Sequence, residues 1–158
     1  MEEHDNATEI YSYTEKHIEG INKSIDALGS KLISTLGFSG VLLKFISDMA
    51  INSKYPFWFV ALSSGALVIA IGCCVSGLYP ANSGCAVTPS SLLSDEDSWW
   101  YSAPSNLYKL RIVKQWYKHI DSLNENLDRR QSCLRLAIGY LTFVAVLFCV
   151  INIVLGVH

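Results

Sequence analysis

Residues 57–79 read FWFVALSSGALVIAIGCCVSGLY, framed by Pro56 and Pro80 and free of any charged side chain. At about 1.5 Å rise per residue, a helix of this length crosses a hydrocarbon core of roughly 30 Å. Phe57 and Trp58 at one end and Tyr79 at the other are aromatic types that settle at bilayer interfaces. The competing reading, a core helix inside a soluble domain, needs protein on every side, and a chain of 158 residues with a second such stretch has too little. The second stretch, 136–157, reads LAIGYLTFVAVLFCVINIVLGV and is also uncharged. With nothing soluble expected after it, the chain reads as an integral membrane protein.

Apolar residues make up 51% of the chain and charged residues 16%, too few charges for an ordinary water-facing surface. The net charge of −2 gives no basic face for nucleic acid, so none is expected as a partner. The length suits one compact unit plus spans. The start, MEEHDNATEIYSYTEKH, is acidic, whereas a secretory leader begins basic, so no leader is expected. Cys73, Cys74 and Cys149 fall in spans, Cys133 at a membrane edge and Cys85 in a loop, a distribution that makes no disulfide framework or metal site. His4, His17, His119 and His158 are scattered, and no nucleophile motif or phosphate-binding glycine loop occurs. No catalytic residue, metal or cofactor is therefore expected.

Along the chain, residues 1–17 are polar and expected to fray. From Ile18 a seam begins, with Ile21, Ile25, Leu28 and Leu32 following at alternating steps of three and four, one face of a helix suited to a partner helix. That partner is either the later amphipathic helix of the same chain or the same helix of a neighbour. The helix continues into a first span over about 32–51, which carries Lys44 and Asp48, four apart and able to face each other. Residues 52–56 form a turn into the span at 57–79. Residues 81–104 are rich in Ser, Pro and Gly and read as a loop. There Trp99, Trp100 and Tyr101 are either an interfacial belt or a stacking surface for a ring, a possible sensing loop.

Pro104 starts the longest helix. Leu110, Val113, Tyr117, Ile120, Asn124, Leu127, Gln131 and Leu134 form a second seam that runs on into the last span. Asn124 and Gln131 are polar seam positions, candidates for a switch because an imperfect seam repacks easily. The expected divisions are a tail and amphipathic helix over 1–30, a membrane hairpin over 31–80, a loop and amphipathic helix over 81–132, and a last span over 133–158. The fold class is an all-α integral membrane protein with about three spans.

Residues 81–135 carry seven Lys or Arg: Lys109, Arg111, Lys114, Lys118, Arg129, Arg130 and Arg135. Basic residues stay on the cytoplasmic side, which places this segment and the N-terminus inside and His158 outside. The spans look built for association. Ala61 with Gly65, Ala66 with Ala70, Gly72 with Ser76 and Cys73 with Gly77 are small pairs four apart, Gly37 and Gly40 do the same less regularly in the first span, and Asn152 is a candidate interhelical hydrogen bond. A homo-oligomer in the lipid bilayer is expected.

The order of parts resembles the small multi-span membrane effectors of bacterial anti-phage systems signalled by nucleotides, of the Pycsar and two-transmembrane effector type. Ala27-Leu28-Gly29-Ser30-Lys31 leads into the first span, Gly77-Leu78-Tyr79-Pro80 ends the second, and a short polar insert follows. An amphipathic helix then meets the last span through residues 128–138, DRRQSCLRLAI. The resemblance implies a protein of the inner membrane that stays quiet until a cyclic nucleotide or a signalling protein reports infection, then assembles and damages the bilayer. An accessory or assembly subunit of a larger membrane complex, or a membrane immunity protein, are the alternative functions.

Overall fold

The computed structural model describes residues 2–51, 55–79 and 105–155, the side chains of residues 2–5, 51, 105, 106, 108, 118 and 155 excepted. The chain is an all-α membrane protein, and its described residues form three long helices: α1 (Glu2–Ile51), α2 (Phe57–Leu78) and α3 (Ser105–Leu155). All three contain stretches long and apolar enough to cross a membrane. Residues 52–54 and 80–104, with the Trp99, Trp100 and Tyr101 cluster, lie outside the described residues.

Pro56 fixes the start of α2. Its φ of −64° and ψ of 141° are extended, and its carbonyl accepts the first helical bonds from the Phe59 and Val60 amides at 3.0 and 3.4 Å. At the other end Tyr79 leaves the helix in an extended conformation while its N–H still reaches the Val75 carbonyl.

The helices contribute to two compact units, each with its own packing. In the first, the N-terminal part of α1 lies along the early part of α3. Lys109 Nζ donates to Thr8 Oγ1 at 2.8 Å, the Tyr11 and Trp116 rings stand 5.0 Å apart, and Ile21 and Ile25 pack on Leu123. Sequence numbers rise together along both partners, so the pair is parallel. The partner of the first seam is thus the later helix of the same chain. Ile18, Ile120 and Leu127 complete the cluster.

Two expectations are corrected in this unit. The polar start is helical, and its seam extends back through Thr14 and Ala7, both buried. Small and hydroxylated residues hide such a seam from a reading based on large apolar side chains. The Thr14 hydroxyl donates to the Ile10 carbonyl at 2.8 Å, which removes the cost of burying it. The second seam is also rotated. Tyr117 is 68% exposed, Leu110 44%, and Asn124 is exposed as well. The face turned inward instead runs through Val113, Trp116, Ile120, Leu123 and Leu127, with Ile112 buried beside it. Replacing Tyr117 and Asn124 with the residues just before them gives the same steps of three and four with more apolar side chains.

The second unit contains α2, the remainder of α1 and the end of α3. Leu32 packs with Leu134, and Ile46 with Val144, so α1 and α3 are again parallel. Cys74, near the end of α2, shares the Leu32 cluster, and Ala66 and Leu67, nearer its start, share the Ile46 cluster. Thus α2 runs antiparallel to both. Its inward face, Phe59, Ser63, Ala66, Leu67, Ala70, Cys74 and Gly77, is mostly small, which lets the backbones approach closely. Gln131, expected in the seam, is exposed here, while Arg130 and Leu134 turn inward.

Candidate association faces

The small residues of the spans divide into two sets. Ala66 and Ala70 point into the bundle and are used in packing the molecule itself. Gly77 is also inside. A Cβ added there would stand 3.0 Å from both the Cys133 Cβ and the Leu32 Cδ1, so tight that these neighbours would have to give way. Gly29 performs a related role on α1, where an added Cβ would stand 3.3 Å from the Arg130 guanidinium. Ala61, Gly65, Gly72 and Ser76 belong to the other set. All are exposed, and around Gly65 and Gly72 there is open space. The Ser76 carbonyl accepts a bond of 2.8 Å from Arg129 Nη2, which brings a cation to the carbonyl end of the α2 dipole.

Beside this outward face of α2, a groove of about 560 Å³ opens between α2 and α3. Gly65, Ala61, Ile69, Gly139 and Phe143 are among its lining residues. The two glycines put no side chain into it. Val68 and Val146 also lie on exposed surface of this unit, as suits helices that meet acyl chains.

The outward face of α1 is different. Gly37, Gly40, Val41, Lys44, Phe45 and Asp48 recur at helical spacing and line a depression of about 480 Å³. All six are exposed, on the side of the helix opposite Leu32, Ser39 and Ile46. Lys44 and Asp48 make no hydrogen bond or ion pair with any described residue, so the pairing anticipated from their spacing does not form within α1.

Asn152 lies on α3 and meets the chain just ahead of α2. Tyr55 Oη donates to Asn152 Oδ1 at 3.3 Å, and Asn152 Nδ2 donates to the Phe148 carbonyl at 2.8 Å. Its amide ties α3 to the segment that leads into α2, within one molecule. The rings of Tyr55, Phe59 and Phe148 surround this contact, at centroid distances of 5.6 Å for the first pair and 6.5 Å for the second.

The residues whose packing role the sequence did not suggest are Arg129 and Arg130, counted above only among the basic residues that set topology. Their signal was present in the sequence. A glycine at Gly29 inside the first seam, and small residues at Ser76 and Gly77 where α2 ends, leave room for long side chains from a neighbouring helix. Among the described residues no group of three His, Cys, Asp or Glu could hold a metal ion.

The elements above define an all-α membrane protein whose spans carry exposed small residues that packing within the molecule does not use. The chain matches no family model, no curated protein and no solved structure.

Proposed function

We propose that this chain is a membrane effector that associates on a defence signal and breaches the inner membrane, ending the infected cell. The observation that carries the reading is the division of small residues. Ala66, Ala70 and Gly77 are occupied by packing within the molecule, while Ala61, Gly65 and Gly72 stand open on the other side of α2. A span with a second, unused face for close helix contact suits a protein that passes from separate molecules to an assembly. The resemblance to nucleotide-signalled effectors supplies the trigger, a cyclic nucleotide or a signalling protein, read by residues 81–132. In this arrangement the N-terminus and residues 81–132 are cytoplasmic, in keeping with their basic residues. The chain acts by association and has no catalytic step.

The test uses purified full-length protein in vesicles loaded with a self-quenched dye, with cyclic mononucleotides and dinucleotides added in turn, beside a dye for membrane potential in expressing cells. Dye release or depolarisation on a cue is expected. Intact vesicles and cells under every cue, with stoichiometric recovery in a larger complex, would instead make the chain an accessory subunit. Reporter fusions at His158 and near Ser102 check the topology, and a cytoplasmic His158 overturns it.

A further inference from the structure

We propose that the outward face of α1, from Gly37 to Asp48, is a pairing site for a second copy of this chain, with Lys44 of each copy bonded to Asp48 of the other. This rests on the association step of the proposed function and adds to the α2 face a second surface, with the chemistry that pairs it. Lys44 and Asp48 lie in a helix long and apolar enough to cross a membrane, they turn away from the bundle, and no described residue pairs with either. Ionisable side chains inside a span are costly against lipid and almost always face protein, water or each other. Among the described residues of one molecule, nothing pairs with these two.

A second copy supplies what is missing. Two parallel copies related by a two-fold axis along the membrane normal place equal residues at equal depth. Lys44 of one is then offset from Asp48 of the other by four residues, roughly 6 Å along the axis, and the long lysine side chain bridges that offset where the helices lie close. The symmetry forms the bond twice, so the face is complementary to itself in charge. Gly37 and Gly40, where an added Cβ would meet nothing within 4 Å, leave the two backbones free to come close at the same face. The depression that Val41 and Phe45 border then receives the matching side chains of the partner.

The test reconstitutes full-length wild type, K44D and D48K in vesicles of phosphatidylethanolamine and phosphatidylglycerol. Pairing is read by energy transfer between copies labelled at the N-terminus. K44D leaves two acids on the face and D48K two bases, so each alone is expected to pair about tenfold less or worse, because like charges face each other. A one-to-one mixture of the two is expected to pair as wild type does. A second readout is oxidative crosslinking through V41C in a C85A C149A background, with S39C on the buried side as the control that stays uncrosslinked. If the charges only reach out to headgroups, K44D and D48K pair as wild type and the proposal is overturned. A mixture that stays unpaired overturns it as well. Should either charge variant fail to insert, the V41C crosslink decides: dimer supports the site and its absence overturns it. The two readings fail separately. Dye release without a V41C crosslink removes this face and keeps the effector, while a V41C crosslink without release under any cue keeps the face and removes the effector.

Discussion

Where Ile21 and Ile25 meet Leu123, two helices share a narrow apolar seam flanked by polar bonds such as Lys109 to Thr8 and the Lys23–Glu19 ion pair at 2.7 Å. Where Leu32 meets Cys74, Leu134 and Ala137, three helices close on small side chains, and Gly77 lies so near the Cys133 Cβ and Leu32 that an added methyl group would displace them. The first unit is held as proteins in water are, by removing large apolar side chains from solvent. In the second, lipid is as apolar as leucine and that drive is weak, so contact depends on close fit at small residues. A deletion of apolar volume should therefore hurt the first unit most, and an added methyl group the second.

The largest expected effect is Leu123→Ala, which removes the centre of the first seam. A loss of about 2–5 kcal/mol is expected, read as faster amide exchange over residues 6–26 and 105–128 of the full chain in nanodiscs. Little change there would mean that the seam does not rest on apolar burial. Next comes Gly77→Val, whose side chain must displace Leu32 and Cys133, at a cost of about 1–3 kcal/mol in a denaturation series in mixed micelles. Gly72→Val is the matched control. It faces open space and should leave the fold intact while altering association. If both glycines behave alike, the assignment of an inward and an outward face to α2 is wrong.

The Tyr55 bond to Asn152 should contribute less. A double-mutant cycle with Tyr55→Phe and Asn152→Leu is expected to give a coupling of about 0.6 kcal/mol, the usual size for a polar bond between membrane helices. A coupling of zero would assign Asn152 to its bond with Phe148 alone. Asn124→Leu, at an exposed position beside the seam, should stay within about 0.5 kcal/mol in the separated molecule. A large effect there would show that the exposed side of α3 is covered in the assembly.

The smallest effect is that of pH on the first unit. The hydrogen bond and charge of Lys23 hold the Glu19 carboxyl below its ordinary value of 4.5. Its contribution is therefore complete above that value and fades as pH falls through the lowered one. Both side chains are solvent-exposed, so the slope should be slight, should flatten in salt, and should vanish in Glu19→Gln. Exchange rates over residues 15–26 between neutral and acid pH measure it.

Several of these features could be read from the chain alone. The absence of charge across 57–79 and 136–157 already specified two spans, because hydrophobic length is a local property that needs no neighbour to define it. The seam Ile18, Ile21, Ile25, Leu28, Leu32 was equally legible, since large aliphatic side chains at helical steps have one natural side to bury. Its backward extension through Thr14 and Ala7 was not, because a small residue at a close contact carries no hydrophobic signal. Nor was the rotation of α3. Leu123 and Asn124 are adjacent, and either completes a seam of correct period, so only the position of the α1 residues selects between them. The same holds for the small residues of α2. Sequence shows that Ala66, Gly72 and Gly77 permit close contact, but which of them meets a helix and which meets lipid is decided by where Leu32 and Cys133 lie. It holds also for Lys44 and Asp48. Their spacing allowed an internal pair, and the packing of Leu32, Ser39 and Ile46 into the bundle is what turned that charged face outward.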